Sequence, residues 1–382
     1  MVVTLIIFLL ILSVLVIVHE MGHFFTAKYF GVKVDEFGIG FPPKASVVHT
    51  SKDGVKWTLN WLPLGGFVKL KGEDGSGKDE PDSFVHKSPW KRVVILSAGV
   101  VMNLILAFIL LTAGFSIGWP QDLTNATVPK QYVKNEQVIV IYVEKNTPAY
   151  TAGIEVGDII EQVNGTQISD HSALQSVIEK SGGIEVELGI ARAGERINKK
   201  LIPENITFTP DKENVDVKPI EKIGIGVALG KLGVVQYPIH KALVIGFTNT
   251  GLYAGKIVAA FYNLIKDIIV HRTVSQNIGG PVTIAVLSGK VARLGFIHVI
   301  QFIALLSLNL AIINILPIPA LDGGRVLFVL IEKFKGRAVS MQVENSIHFI
   351  GFWLLILVTI LITVRDIQKF QLWDKVKNFI VS

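Results

Sequence analysis

Four long stretches of the chain are mostly apolar and carry few charges: residues 2–18, 93–118, 296–333 and 347–365. A helix rises about 1.5 Å per residue, so about 20 residues cross a hydrocarbon core of roughly 30 Å. We therefore predict four membrane-spanning helices. The third stretch is too long for one straight helix, and its prolines and paired glycines predict a break.

Shorter periodicities mark the regions between these stretches. Residues 31–92 contain runs in which apolar and polar residues alternate between turn residues, which predicts β-hairpins beside the membrane. Residues 128–225 combine short strand patterns with turn-rich segments and predict a folded β/α domain. Residues 238–269 are helical and apolar but interrupted by glycines and charges, which favours an amphipathic helix on the membrane surface. A fifth span is the alternative for this segment.

Composition supports the membrane class and narrows the chemistry. Half of the residues are hydrophobic and only 18% are charged, against about 25% in an ordinary globular domain. The chain has no cysteine, so any metal must be held by His, Asp or Glu. We find no basic stripe interleaved with aromatic residues, and we expect membrane lipid rather than nucleic acid as a partner.

Basic residues predict the orientation in the membrane. No charged residue precedes His19, whereas residues 28–92 contain eleven Lys or Arg residues. Four more, Arg325, Lys333, Lys335 and Arg337, lie at the end of the third stretch and in the short loop after it. Basic loops stay in the cytoplasm, so we place the N-terminus and the 128–225 domain outside it. The tail after the fourth stretch is also basic, which fits this orientation less well. With four spans, however, both ends of the chain lie on the same side of the membrane, so we place the tail outside. The first stretch lacks a basic start and a cleavage site, and we expect it to be retained.

The first stretch ends in "HEMGH", residues His19 to His23. On a helix, positions i and i+4 share one face, so both imidazoles can reach one zinc ion, with Glu20 placed to act as general base. The alternative is a pair of histidines that merely meet the membrane interface. Ionisable groups inside an apolar segment are costly and usually functional, which favours the metal site.

A catalytic zinc site needs three protein ligands and one open position. The candidate for the third ligand is Asp322 in "NILPIPALDGGR", an acid placed between the apolar runs of the third stretch. Its alternative role is to cap the helix that follows the prolines. Two histidines without an anionic partner would make a weak site, and a lone acid in a span would be costly. A shared zinc ion removes both difficulties.

The motifs together resemble the site-2 protease family of intramembrane zinc metalloproteases, in its bacterial regulator-of-sigma-E protease branch. The resemblance rests on "HEMGH", on "GVVMN" (residues 99–103), on "GGPVTIA" (residues 279–285) and on "NILPIPALDG" (residues 314–323). It implies His19, His23 and Asp322 as zinc ligands and Glu20 as the catalytic base. It also implies substrate contacts for Asn314 and Asn103, although interhelical hydrogen bonding is an alternative for both.

The resemblance further implies a bacterial inner-membrane enzyme with its active site toward the cytoplasm. Its expected substrates are single-span membrane proteins already trimmed outside, such as an anti-sigma factor or a remnant signal peptide. "TPAYTAGIEVGDIIEQVNGTQI" is similar to a PDZ domain, and the chain has room for one such domain where many members carry two. The family's β-hairpins are thought to guide substrate by strand addition.

These observations predict a polytopic α-helical membrane protein with four transmembrane helices, a membrane-associated β-hairpin sheet and an inserted extracytoplasmic PDZ-like β/α domain. A non-catalytic PDZ scaffold with a relic metal site is the first alternative, and a transporter the second. The predicted segments are 1–30 (first span), 31–92 (cytoplasmic loop with β-hairpins), 93–118 (second span), 128–225 (PDZ-like domain), 237–285 (surface helix and connector), 296–333 (broken third span), 347–365 (fourth span) and 366–382 (tail).

Overall fold

The structure is a computed structural model that describes residues 2–124, 126, 128–168, 171–192, 195–208, 220–272, 279–337 and 339–371. The helices are α1 (Val2–Tyr29), α2 (Pro89–Ile117), α3 (Pro148–Thr151), α4 (His171–Lys180), α5 (Ile239–Lys266), α6 (Pro281–Leu294), α7 (Phe296–Ile315), α8 (Asp322–Lys335) and α9 (Met341–Lys369). The strands are β1 (Val34–Thr50), β2 (Lys56–Leu70), β3 (Trp119–Asp122), β4 (Val133–Val143), β5 (Ile159–Val163), β6 (Thr166–Gln167), β7 (Val186–Arg192), β8 (Glu195–Leu201), β9 (Glu204–Phe208), β10 (Ile220–Gly224) and β11 (Val227–Val235).

The chain divides into two compact units. The first consists of Met1–Gly114 and Ile239–Ser382, and the second of Phe115–Pro238. The predicted β/α domain at 128–225 falls within the second unit, although the predicted domain boundaries themselves stay predictions. Part of the predicted connector, residues 273–278, and most of the predicted tail, residues 372–382, lie outside the described residues.

Within the described residues, five helices are long and apolar enough to cross a membrane. They lie at Val3–Tyr29, Pro89–Ile117, Ile239–His271, Phe296–Ile315 and Met341–Lys369. The segment at Ile239–His271 has the lowest mean hydropathy of the five, 1.2, against 2.2 to 2.7 for the others. By length and composition this segment could therefore be a fifth span. The count of four spans and the orientation of the chain in the membrane remain predictions. Several helices of this length and hydropathy are what a multi-pass membrane protein contains.

The predicted β-hairpin is present in the first unit. Strands β1 and β2 pair antiparallel from Val34↔Leu70 to Thr50↔Lys56, with several bulges along the ladder. Strand β2 packs against α1. The apolar face of the hairpin joins α1, α2 and α8 in one buried cluster, which includes Phe24, Phe37 and Ile95. This cluster anchors the end of α1 that carries the histidines.

The third apolar stretch forms two helices separated by a loop, as the prolines predict. Helix α7 ends at Ile315, and α8 begins at Asp322. At the start of α8 the backbone approaches the loop so closely that a Cβ on Gly323 would lie 2.3 Å from the carbonyl oxygens of Ile315 and Leu316. Glycine is therefore required there, because any side chain would push Asp322 away from the end of α7.

The second unit has its own sheet and core. Its main antiparallel sheet has the order β3-β11-β4-β5-β7-β8, and β6 pairs with β5. Strands β9 and β10 form a separate pair, and α4 packs against β10 and β11. The core is made of aliphatic residues, including Val138, Ile160, Leu174 and Leu188. This unit therefore buries an apolar core without help from the helices of the first unit.

One buried ion pair in this unit predicts a measurable pH dependence. Asp158 is 1% exposed, and its carboxylate accepts hydrogen bonds from Arg192 Nε and Nη2 at 2.7 and 2.8 Å. Burial raises the pKa of Asp158, but the hydrogen bonds from Arg192 outweigh it, so the pKa lies below its ordinary value of 3.8. A lowered folded-state pKa means that the stabilisation is complete above about pH 4 to 5 and is lost as the pH falls through the folded-state pKa.

We expect the substitution Arg192→Met to lower the free energy of unfolding of a fragment spanning residues 115–238 by about 3 kcal/mol at neutral pH, because it leaves a buried carboxylate unpaired. Urea unfolding followed by circular dichroism measures this change. In Asp158→Asn the loss of stability on acidification should be smaller than in the wild type. An identical acid dependence in wild type and Asp158→Asn would show that this pair contributes nothing to it.

Candidate active site

Helix α1 places two histidines one turn apart, and α8 brings an acid to meet them. His19 Nε2 lies 2.9 Å from Asp322 Oδ2, and His23 Nε2 lies 3.4 Å from the same oxygen. The two Nε2 atoms are 3.2 Å apart. His19 and His23 are buried, and Asp322 keeps 21% of its side chain exposed. Residues separated by about 300 positions thus converge on one point inside the first unit.

The arrangement argues against the capping role for Asp322. Leu321 occupies the cap position of α8, and Asp322 is the first residue inside the helix. The Asp322 carboxylate is instead directed toward the two imidazoles.

The spacing of these three donor atoms fits a zinc ion. Nitrogen and oxygen ligands at about 2.0–2.1 Å in tetrahedral geometry lie about 3.3 Å from one another. The observed separations of 2.9, 3.2 and 3.4 Å scatter around that value. Among the described residues, this is the one group of three or more His, Asp or Glu side chains close enough to share a metal ion.

The hydrogen bonds behind the histidines also fit. His23 Nδ1 donates to the carbonyl oxygen of Ile95 at 2.9 Å, which leaves the lone pair of Nε2 directed at the site. The side-chain amide of Asn103 lies 3.2 Å from His19 Nδ1, and Asn103 Oδ1 is buried without a partner among the described residues. Rotating this amide exchanges its O and N atoms, so Oδ1 can accept a hydrogen bond from the protonated Nδ1 of His19 when Nε2 binds a metal.

Two glycines allow the helices to approach closely at the site. A Cβ on Gly99 of α2 would lie 2.5 Å from His23 Nε2 and 2.7 Å from His19 Nε2. A Cβ on Gly22 of α1 would lie 2.3 Å from the carbonyl oxygen of Ala98. The space for the metal is therefore bounded on one side by the bare backbone of α2.

The remaining predicted residues surround the same point. Glu20 follows His19 directly, is half-buried and lies beside Gly66 of β2, whose added Cβ would be 3.6 Å from Glu20 Cγ. Asn314 Nδ2 is 3.4 Å from His19 Nε2. The structure thus brings Glu20, Asn103 and Asn314 to the histidines, while their roles toward a substrate stay predictions. Asn103 is fully buried, and its side chain faces His19.

Sequence reasoning missed the residues that shape the site without donating a ligand atom. Gly99 enters the sequence analysis only as part of the "GVVMN" motif. Ile95 contributes its backbone carbonyl, and its apolar side chain gives no sign of that role. An acid–base pair also lies next to the site: Arg325, one turn after Asp322, pairs with Glu73 in the segment after β2. Glu73 lies in the polar segment "KGEDGSGKDE", which gives no local signal for this pair.

Comparisons with known proteins agree with this geometry. The family described as Peptidase family M50 matches residues 7–358. A relative from Rickettsia conorii is 33% identical over 95% of this chain and 98% of its own length, and one from Clostridium perfringens is 31% identical over 94% and 97%. Both carry the name "Putative zinc metalloprotease".

A solved structure also shows a likeness to part of the chain. The PDZ domain of an SdrC-like protein from Listeria monocytogenes is 20% identical and covers 25% of this chain and 90% of its own, with a TM-score of 0.21. That score is too low to support an argument about the second unit. The family match covers most of the chain and includes all the residues gathered at the site. The chain belongs to peptidase family M50, and it is a membrane-embedded, zinc-dependent metalloprotease.

Proposed function

We propose that the protein is an intramembrane endopeptidase that cleaves the transmembrane segments of single-span proteins, with His19, His23 and Asp322 as zinc ligands. The observation that carries the proposal is the convergence of these three donor atoms. Two of them lie on α1, a helix apolar enough to span a membrane, and the third lies at the start of α8, just after a second such helix, α7. When bound, zinc would supply Lewis-acid chemistry by polarising the scissile carbonyl and acidifying a water molecule.

The residues of the chain would carry the proton transfers. Glu20 lies next to a ligand but outside the ligand set, so its carboxylate can take a proton from the attacking water. The same carboxyl group can then deliver that proton to the leaving amine. Asn314 Nδ2 lies 3.4 Å from His19 Nε2, so its amide would be close enough to the metal site to hydrogen bond to substrate backbone groups that lose their helical partners. Asn103 would hold the ring of His19 from behind.

The proposal extends to the substrate and the membrane. Substrates would be single-span proteins first trimmed on their outer side, such as a membrane-bound anti-sigma factor or a remnant signal peptide, in regulated intramembrane proteolysis. The residues at 128–225 would form a PDZ-like filter outside the bacterial inner membrane, and the active site would face the cytoplasmic side. The basic loop at residues 28–92 supports this orientation, as do the basic residues of α8 together with Arg337 just after it.

The proposal is tested with purified full-length protein and a tagged single-span substrate truncated on its outer side. We expect cleavage to stop when a chelator removes zinc, and to return when zinc is added back. Mass spectrometry of the products should place the cut within the apolar segment of the substrate. The matched control is Asp322→Ala, which should bind well below one zinc ion per chain and stay inactive after zinc is added.

Two results would contradict the proposal. A cut in the polar flanks of the substrate would describe a metalloprotease that does not act within the membrane. No cleavage by the folded, zinc-loaded wild type across a panel of single-span substrates would favour a membrane-anchored scaffold with a relic metal site.

A further inference from the structure

We propose that α9 holds the loop that presents Asp322, through the side chain of His348 and the bare backbone of Gly351. This inference rests on the proposed role of Asp322 as a zinc ligand. It makes His348 a positioning residue for the metal site, and it makes the last apolar helix a part of that site's support. Neither residue belongs to a motif that the sequence analysis singled out.

The loop between α7 and α8 contains a strained residue just before Asp322. Ala320 has a φ of +73°, in the left-handed region that residues with a Cβ rarely adopt. Such a conformation costs free energy and persists only where the surroundings enforce it. Two residues along the chain, Asp322 must keep its carboxylate within reach of both histidines. The loop therefore needs an external support that holds Ala320 in this conformation.

His348 supplies that support. Its Nδ1 atom accepts a hydrogen bond from the backbone N–H of Ala320 at 2.8 Å, so the strained residue is tied directly to α9. The imidazole also packs against the ring of Phe328 in α8, with centroids 5.5 Å apart. Its Nε2 atom is buried and has no hydrogen-bond partner among the described residues. The Ala320 bond is thus the polar contact that accounts for an imidazole at this position.

Gly351 provides a second contact, on the same face of α9 three residues later. It is buried, and an added Cβ would lie 2.4 Å from Pro319 Cβ and 3.0 Å from its carbonyl oxygen. The backbone of α9 therefore lies directly against the residue before Ala320. Most of α9 is otherwise exposed apolar surface, including Phe349, Ile350 and Trp353. Through His348 and Gly351, α9 contacts the loop that leads to Asp322.

Zinc affinity of the full-length protein in detergent, measured by competition with a chelator of known affinity, tests the proposal. His348→Ala removes the acceptor and should weaken zinc binding by about 10- to 100-fold, the range typical for residues that orient ligands. His348→Asn should restore most of the affinity, because its Oδ1 can take the place of Nδ1. Phe349→Ala, on the exposed face of α9, is the control and should bind zinc like the wild type.

A second measurement reports how accessible the loop between α7 and α8 is when no metal is bound. The chain has no cysteine, so Ile318→Cys gives a single thiol in the loop whose reaction with a maleimide can be timed in zinc-free protein. We expect faster labelling with His348→Ala, and with Gly351→Ala, than with the wild-type α9. Gly255→Ala is the matched control, because a Cβ there meets no atom within 4 Å.

The outcomes separate this inference from the proposed function. Unchanged zinc affinity in His348→Ala together with unchanged labelling, or an Asn variant as weak as the Ala variant, would overturn the role of His348. If Asp322→Ala binds zinc like the wild type, the proposed ligand set fails. In that case faster labelling in His348→Ala would still establish that α9 holds the loop.

Discussion

Replacing Glu20 with Gln should reduce cleavage by about 10²- to 10⁴-fold, the usual contribution of a general base, while one zinc ion per chain remains bound. Glutamine has nearly the same shape but cannot accept the proton of the attacking water. Glu20 lies outside the group of His19, His23 and Asp322, so its loss leaves the donor atoms in place. Single-turnover cleavage of the truncated single-span substrate, with zinc content measured on the same preparation, checks both halves of this expectation.

The matched control is Glu195→Gln on strand β8, an exposed Glu in the second unit. It should cleave like the wild type. Wild-type rates in Glu20→Gln would assign the base to another group or reveal a contaminating protease. If the Glu20→Gln protein instead contained no zinc, Glu20 would help to hold the metal. That result would contradict the proposal that Glu20 acts only as the base.

The candidate site could be predicted from sequence because its chemistry conflicts with its surroundings. His19, His23 and Asp322 are expensive in apolar segments, and each becomes explicable once the others are placed beside it. The i, i+4 spacing in α1 also depends only on local helix geometry. The prolines and glycines after α7 similarly predict the break that lets Asp322 begin a new helix.

The parts that could not be predicted depend on packing between distant elements. Nothing local distinguishes Gly99 from the other 34 glycines, because its role depends on which face of α2 meets α1. In the sequence, His348 is one polar residue near the start of an apolar helix. Its role becomes visible only in the folded structure, where it accepts a hydrogen bond from Ala320. The segment at Ile239–His271 is ambiguous for another reason: its mean hydropathy, 1.2, is well below the 2.2 to 2.7 of the other four candidate spans in the described residues.

Gly99→Ala should disrupt the metal site more severely than the loss of any supporting hydrogen bond. Its new Cβ would lie 2.5 Å from His23 Nε2, 2.6 Å from His19 Cε1 and 2.7 Å from His19 Nε2, against the two nitrogen atoms proposed to bind zinc. One or both imidazoles must then turn away, or α2 must move away from α1. We expect zinc affinity to fall by more than about 100-fold, beyond the range for loss of a residue that only orients a ligand, and cleavage to fall with it.

Comparison with Gly22→Ala separates the two ways in which the site can fail. The Cβ of that variant would meet the backbone carbonyl of Ala98 and not an imidazole, so its main effect should be a lower thermal stability of the helix pair. Gly255→Ala, which meets no neighbouring atom, should match the wild type in both measurements. If Gly99→Ala bound zinc as tightly as the wild type, α2 would not border the metal site. The close approach of α1 and α2 would then serve helix packing alone, and His19 and His23 would have to meet the metal from another side.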